Sequence, residues 1–211
     1  MKGLLISFEG IDFSGKSVQA NLLKQRLLSE GRPVQFLREP GGTEISERLR
    51  DVVLDTKHYT MSPLTEVLLY SAARAQMVEE QVLPNLSKGV VVICDRFYDS
   101  TTAYQGYGRS IDLDFIAQLN QRVTRGCKPD LTFLLDLHPE TVLKRKLASA
   151  KSLDRLEQED VDFHLKVRQG YLTIARNDSK RFVVLDGEKS IETIQEEIYQ
   201  RVKSKLRSRA G

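Results

Sequence analysis

Apolar residues fall along this chain in two alternating rhythms. Five short runs are apolar almost without interruption, at residues 4–8, 34–37, 90–94, 131–137 and 182–185. Such runs predict strands buried on both faces, as in a parallel sheet covered by helices. Between them apolar positions recur every three or four residues. Val18, Leu22, Leu23 and Leu27 make one stripe, stopped by Gly31 and Pro33, and Ile45, Leu49, Val52 and Val53 make another after the Gly41-Gly42 turn. Ser62-Pro63 has the form of an N-cap followed by proline at the first helical position, predicting a long helix through Arg74 that ends between Pro84 and Gly89. Helices are also expected over 114–124, 140–147, 160–177 and 191–206. Strands alternating with helices predict an α/β fold, a three-layer α/β/α sandwich with a five-stranded parallel sheet. A polar interruption at 148–160 is the expected mobile loop.

Composition narrows the class. The chain has 211 residues, 29% charged and 40% hydrophobic, with a formal net charge of +3. That length suits one domain, expected to span 1–211. No apolar run approaches the roughly 18–20 residues needed to cross a bilayer, and no signal peptide is visible, so neither a membrane nor export is expected. Cys94 and Cys127 are the only cysteines, and His58, His138 and His164 lack metal-site spacing. A cytoplasmic globular protein is the expectation. The basic end, Arg201 through Arg209, reads as a solvated helix terminus complementing its dipole, and no nucleic-acid partner is expected.

The first strand runs into Gly10-Ile11-Asp12-Phe13-Ser14-Gly15-Lys16-Ser17, the pattern G-x-x-x-x-G-K-S of a phosphate-binding loop. Glycines let backbone N–H groups converge on phosphate oxygens, and the following helix adds the positive end of its dipole. Lys16 is placed to meet the β- and γ-phosphates of a nucleoside triphosphate, and the Ser17 hydroxyl to ligate Mg2+. No D-x-x-G follows the loop and no N-K-x-D occurs, which disfavours a GTPase. At this size phosphoryl transfer to a small acceptor is favoured. Asp95 and Arg96 follow the third apolar run directly. The carboxylate is a candidate for magnesium, directly or through water, and the guanidinium for an acceptor phosphate, although a structural Asp–Arg pair has the same appearance.

Several further stretches occur in a telling order: Arg38-Glu39-Pro40-Gly41-Gly42-Thr43, Ala73-Arg74-Ala75-Gln76, Asp95-Arg96-Phe97, Ser100-Thr101-Thr102-Ala103-Tyr104-Gln105-Gly106, Lys128-Pro129-Asp130-Leu131 and Asp154-Arg155-Leu156-Glu157. With the phosphate loop, they make the chain resemble the bacterial thymidylate kinases over nearly its whole length. The resemblance implies the P-loop NTPase kinase fold, Mg2+-assisted transfer of a phosphoryl group from ATP to dTMP in dTTP synthesis, and a homodimer. It implies that Tyr70 stacks on thymine while Arg74 reaches the carbonyl side of the base. It puts Pro40 beside that base and Arg38 in the same turn. Ser100, Thr101, Tyr104 and Gln105 match the segment that surrounds thymine and disfavours a 2′-hydroxyl. Asp12 would accept the 3′-hydroxyl.

Residues 148–157 resemble the family's lid, which brings a cation over the transferred group. Some members carry that cation in the phosphate loop, at the position held here by Phe13, which has no charge. The lid must then supply it, with Arg155 the first choice and Lys151 the second. Candidate dimer surfaces are the apolar faces around 67–78 and 116–119. The competing readings are another nucleoside monophosphate kinase, with dUMP, dCMP or UMP as acceptor, and a nucleotide-binding module without transfer activity.

Overall fold

A computed structural model describes residues 3–148 and 153–210. Five strands form one sheet: β1 (Leu5–Glu9), β2 (Val34–Arg38), β3 (Val91–Asp95), β4 (Leu131–Asp136) and β5 (Phe182–Asp186). Every pairing is parallel, in the order β2-β3-β1-β4-β5. Each strand lies within about one residue of the apolar run that predicted it, because burial on both faces leaves little room for polar residues.

Alternation along β1 divides the core. Leu4, Ile6 and Phe8 face Ala20, Leu23 and Leu27 of α1 (Lys16–Ser29) and Ile194, Ile198 and Val202 of α9 (Ile191–Ala210). Leu5 faces the other way, with Val92 and Cys94, toward Met77 at the end of α3 (Pro63–Met77). Helices therefore cover both faces of the sheet. Ser62 caps α3 as expected, accepting a hydrogen bond from Thr65 N at 3.1 Å. The long helix does not stay α-helical: it passes through a π-wound stretch at Val78–Val82 into α4 (Leu83–Ser87). Thr43 caps α2 (Glu44–Leu54).

Between β3 and β4 lies a segment whose last part, the helix expected over 114–124, is present, while the two elements before it were not foretold by apolar spacing. It comprises α5 (Tyr98–Thr101), a π-wound stretch at Thr102–Gly108 and then α6 (Leu113–Val123). Helix α8 (Val161–Asn177) packs on the π-wound stretch with almost no gap. A Cβ on Gly170 would stand 2.7 Å from the Tyr107 ring, so only glycine fits there. Helix α7 (Pro139–Ala148) precedes the lid segment.

Two surface expectations need correction. Val67, Val78 and Ile116 are fully buried, since their side chains complete the core under α3 and α6. The apolar residues those helices do expose are Leu64, Leu68, Leu113 and Phe115. The basic end is also more engaged than expected, for Arg209 bonds to the Gly3 carbonyl and to Asp130, tying α9 back to the sheet.

Candidate functional site

The register brings three strand ends together. Phe8 of β1 and Arg38 of β2 both lie opposite Asp95 of β3. Beyond this carboxyl edge, where α/β sheets bind ligands, opens a cavity of about 440 Å³.

The phosphate loop forms one wall. Gly10 adopts φ 141°, and a Cβ there would lie 2.6 Å from the Leu135 carbonyl oxygen, so the turn demands glycine. Phe13 also takes a positive φ, of 59°. Gly15 opens α1, whose first residues, Lys16 and Ser17, line the cavity. Lys16 is buried, with Nζ 3.4 Å from Asp12 Oδ1. Burial, followed by repulsion from Arg96, holds its ammonium below the usual lysine range. Gly10, Ile11, Ser14 and Gly15 complete the loop without being among the residues that line the cavity. Arg145 of α7 clamps its outer side, donating to the Phe13 carbonyl at 3.2 Å, the Ser14 carbonyl at 3.4 Å and the Gly187 carbonyl at 3.0 Å. No sequence signal singled out Arg145.

Arg96 occupies the centre. Its backbone φ is 72°, a left-handed conformation that aims the side chain back over the loop. Nη1 donates to the Gly10 carbonyl at 2.9 Å and to Ser100 Oγ and Tyr171 Oη at 3.1 Å each. Nη2 donates to Asp12 Oδ1 at 2.6 Å and to Tyr104 Oη at 3.1 Å. Tyr104 Oη donates in turn to Asp12 Oδ2 at 2.9 Å. Burial would raise the Asp12 carboxyl, but the charges of Arg96 and Lys16 and these hydrogen bonds hold it far below the usual range.

Beneath this cluster Glu9 is fully buried. It accepts from Phe97 N at 2.8 Å, Ser100 Oγ at 2.6 Å and Tyr171 Oη at 2.9 Å. Burial, reinforced by the nearby Asp99 carboxylate, pushes its pKa up to about 7. Sequence reading gave no role to Glu9 or Tyr171, which meet only through the fold.

The opposite wall holds Pro40, Tyr70, Arg74, Thr101, Tyr104 and Gln105. Tyr70 and Arg74 share a face of α3, as their spacing predicted. Arg74 is almost wholly enclosed: Nε donates to Glu39 Oε2 at 2.8 Å, Nη2 lies 2.7 Å from the same oxygen, and Nη1 donates to Thr101 Oγ1 at 2.8 Å. Arg38 is exposed and paired with Glu47 at 2.9 Å. Arg50 also lines the cavity, its Nη1 donating to the Pro40 carbonyl at 2.8 Å. It lay in a predicted helix without a motif to mark it.

The lid segment departs most from expectation. Lys151 lies outside the described residues. Of residues 153–160, Arg155, Leu156 and Glu157 are buried, while Gln158 and Asp160 are exposed. Arg155 is not a cavity-facing cation. Its Nη1 pairs with Glu66 at 2.7 Å, its Nε donates to the Val53 carbonyl at 3.1 Å, and its backbone N–H bonds to Leu54. A long cation that becomes buried takes a carboxylate partner, and Glu66 is that partner. Among the described lid residues, Asp154, Leu156 and Glu157 reach the cavity wall.

One feature of the wall suits a hard cation. Asp95 Oδ1 is buried without a hydrogen-bond partner among the described residues, at a cavity it shares with Ser17 and Asp12. All three offer oxygen, the donor type that Mg2+ takes.

The family model described as Thymidylate kinase matches residues 8–198. A thymidylate kinase from Thermoanaerobacter sp. (strain X514) is 44% identical over 206 residues, covering 98% of this chain and all of the relative. One from Geotalea daltonii is 49% identical over 191 residues, covering 88% of this chain and 89% of the relative. The crystal structure of thymidylate kinase from Ehrlichia chaffeensis superposes with a TM-score of 0.79 at 34% identity, covering 96% of this chain and 99% of that one.

Proposed function

The chain belongs to the thymidylate kinase family, and from that premise we propose how its own residues carry the reaction. It phosphorylates dTMP at the expense of ATP, giving dTDP and ADP. The observation that best supports the residue assignments is the convergence of Lys16, Asp95 and Arg96 on one cavity whose far wall carries Tyr70 and Gln105.

ATP is held by the loop Gly10 to Ser17, whose backbone N–H groups and α1 terminus meet its phosphates. Lys16 neutralises charge on the β- and γ-phosphates. Arg96 receives the phosphate of dTMP, with Arg38 at the rim of the same wall. Tyr70 stacks on thymine, and Arg74, held rigid by Glu39, offers its remaining N–H edge to the base. Asp12 accepts the sugar hydroxyl, while Ser100, Thr101 and Tyr104 close around the sugar. The acceptor phosphate is already an anionic nucleophile, so in-line attack on the γ-phosphorus needs no strong base and no covalent enzyme intermediate. Positioning and charge neutralisation carry the rate.

Asp95 and Ser17 would hold Mg2+, which when bound screens the phosphate charge that Lys16 and Arg96 do not reach. The protein works as a cytoplasmic homodimer, with Leu64, Leu68, Leu113 and Phe115 as the apolar patch that a second copy covers.

An acceptor panel tests the activity: dTMP, dUMP, dCMP and UMP, each with ATP and magnesium, read as ADP release. Efficient turnover of dTMP is expected. Good turnover of UMP or dCMP with poor turnover of dTMP would overturn the acceptor assignment, and ATP binding without ADP release would favour a non-catalytic module.

A further inference from the structure

Gln105 lines the acceptor end of the cavity with its amide gripped from behind. Nε2 donates to Glu66 Oε1 at 2.8 Å. A carboxylate offers only acceptors, so this contact settles the amide: nitrogen toward Glu66 and carbonyl oxygen away from it, on a side chain that lines the cavity. Among the described residues that oxygen receives no hydrogen bond from protein.

Glu66 is itself held in one state. It is 1% exposed, and Arg109 reaches it at 3.1 Å and Arg155 at 2.7 Å. Burial would raise its carboxyl, but the hydrogen bonds from Arg109 and Gln105 and the charges of Arg109 and Arg155 outweigh it and hold it below the ordinary value. An ionised Glu66 has no proton to give, so the Gln105 amide cannot reverse without placing oxygen against oxygen at this distance.

We propose that Glu66 is a specificity-determining positioning residue: by fixing the Gln105 amide it makes the cavity present a hydrogen-bond acceptor to the acceptor base. This rests on the reading that this end of the cavity holds dTMP. Thymine and uracil carry N–H at position 3 and satisfy that oxygen. Cytosine has a lone pair there, so lone pair meets lone pair and both are left unpaired in a dry site. The 5-methyl group is not read by this contact. Glu66 therefore sets the choice of thymine over cytosine and leaves the choice of thymine over uracil to other residues.

The test is steady-state kinetics of wild type and Glu66→Gln with dTMP, dUMP and dCMP at saturating ATP and magnesium. Glutamine can donate as well as accept, which frees the Gln105 amide to turn. The ratio of kcat/KM for dTMP over dCMP should fall about 10-fold or more, the dTMP over dUMP ratio should hold within about 2-fold, and KM for ATP should not change. An unchanged dTMP over dCMP ratio overturns the proposal, as does an equal fall in both ratios. In a Gln105→Ala background Glu66→Gln should no longer alter the ratio, and a further fall there would show that Glu66 does not act through Gln105. If Glu66→Gln fails to fold, Arg109→Gln loosens the same carboxylate from a partly exposed position and should move the ratio in the same direction. No change there would count against the proposal. Failure of the wild type to phosphorylate dTMP would sink the acceptor reading itself, a different outcome from failure of Glu66 alone.

Discussion

Arg96 Nη2 and Asp12 Oδ1 meet at 2.6 Å, joining the end of β3 to the phosphate loop. In the proposed assignment the pair lies between donor and acceptor phosphates: an arriving acceptor phosphate would compete with Asp12 for the guanidinium and would leave Asp12 for a hydroxyl or a hydrated cation.

Removing the guanidinium should therefore be felt mainly by the acceptor. For Arg96→Ala we expect KM for dTMP to rise at least about 10-fold and kcat to fall on the order of 10²-fold, with ATP affinity little changed. Initial rates with each substrate varied in turn check this. A change confined to ATP affinity would remove Arg96 from the acceptor site.

Lys16 makes few demands on the fold, because its only ion pair among the described residues is the 3.4 Å contact with Asp12. Lys16→Ala should lower kcat on the order of 10²–10³-fold with little change in Tm. Full activity in that variant would refute the phosphate-loop assignment.

Glu9 should make stability depend on pH in the opposite sense to a salt-bridged carboxylate. Its folded pKa, about 7, lies above the ordinary 4.5. Between those values the folded state binds more protons than the unfolded one, so the Glu9 contribution falls as pH rises and is fully lost above pH 7. Glu9→Gln keeps an acceptor for Phe97 N–H and removes the charge, while its amide N–H groups meet the Ser100 and Tyr171 hydroxyls, which turn from donating to accepting. Its Tm relative to wild type should climb from pH 5 to pH 8. A constant or declining difference would contradict the burial argument.

Arg155 and Lys151 should separate cleanly. Arg155→Ala breaks a buried pair and should cost about 3–5 kcal/mol of stability. Lys151→Ala should leave Tm unchanged and slow turnover about 10-fold if it provides the lid cation. Thermal melts and kcat for both variants decide it, and unchanged turnover in Lys151→Ala would remove that residue from the reaction.

The sheet was legible because a strand buried on both faces has few polar options. Leu4 to Phe8 could hardly be anything else. The segment Thr102–Gly108 was not legible as helix, since a π-wound stretch does not place side chains at the α-helical interval and Gly106 and Gly108 weaken any helical reading. Motif residues such as Lys16, Asp95 and Arg96 reached the cavity as their spacing implied. Arg155 did not, for a reason invisible along the chain. Whether an arginine faces ligand or is buried depends on a partner brought near by folding, and Glu66 lies on a distant helix. The same limit hid Glu9, Tyr171 and Arg109.

The close seating of Gly170 against Tyr107 has a mechanical meaning. Helix α8 and the wall carrying Tyr104 and Gln105 interlock too tightly to slide past one another. Asp160, which caps α8 by accepting from Phe163 N at 2.7 Å, marks where the lid segment joins that block. Asp160 therefore joins residues 153–159 to a block whose tight packing fixes the cavity wall that carries Tyr104 and Gln105.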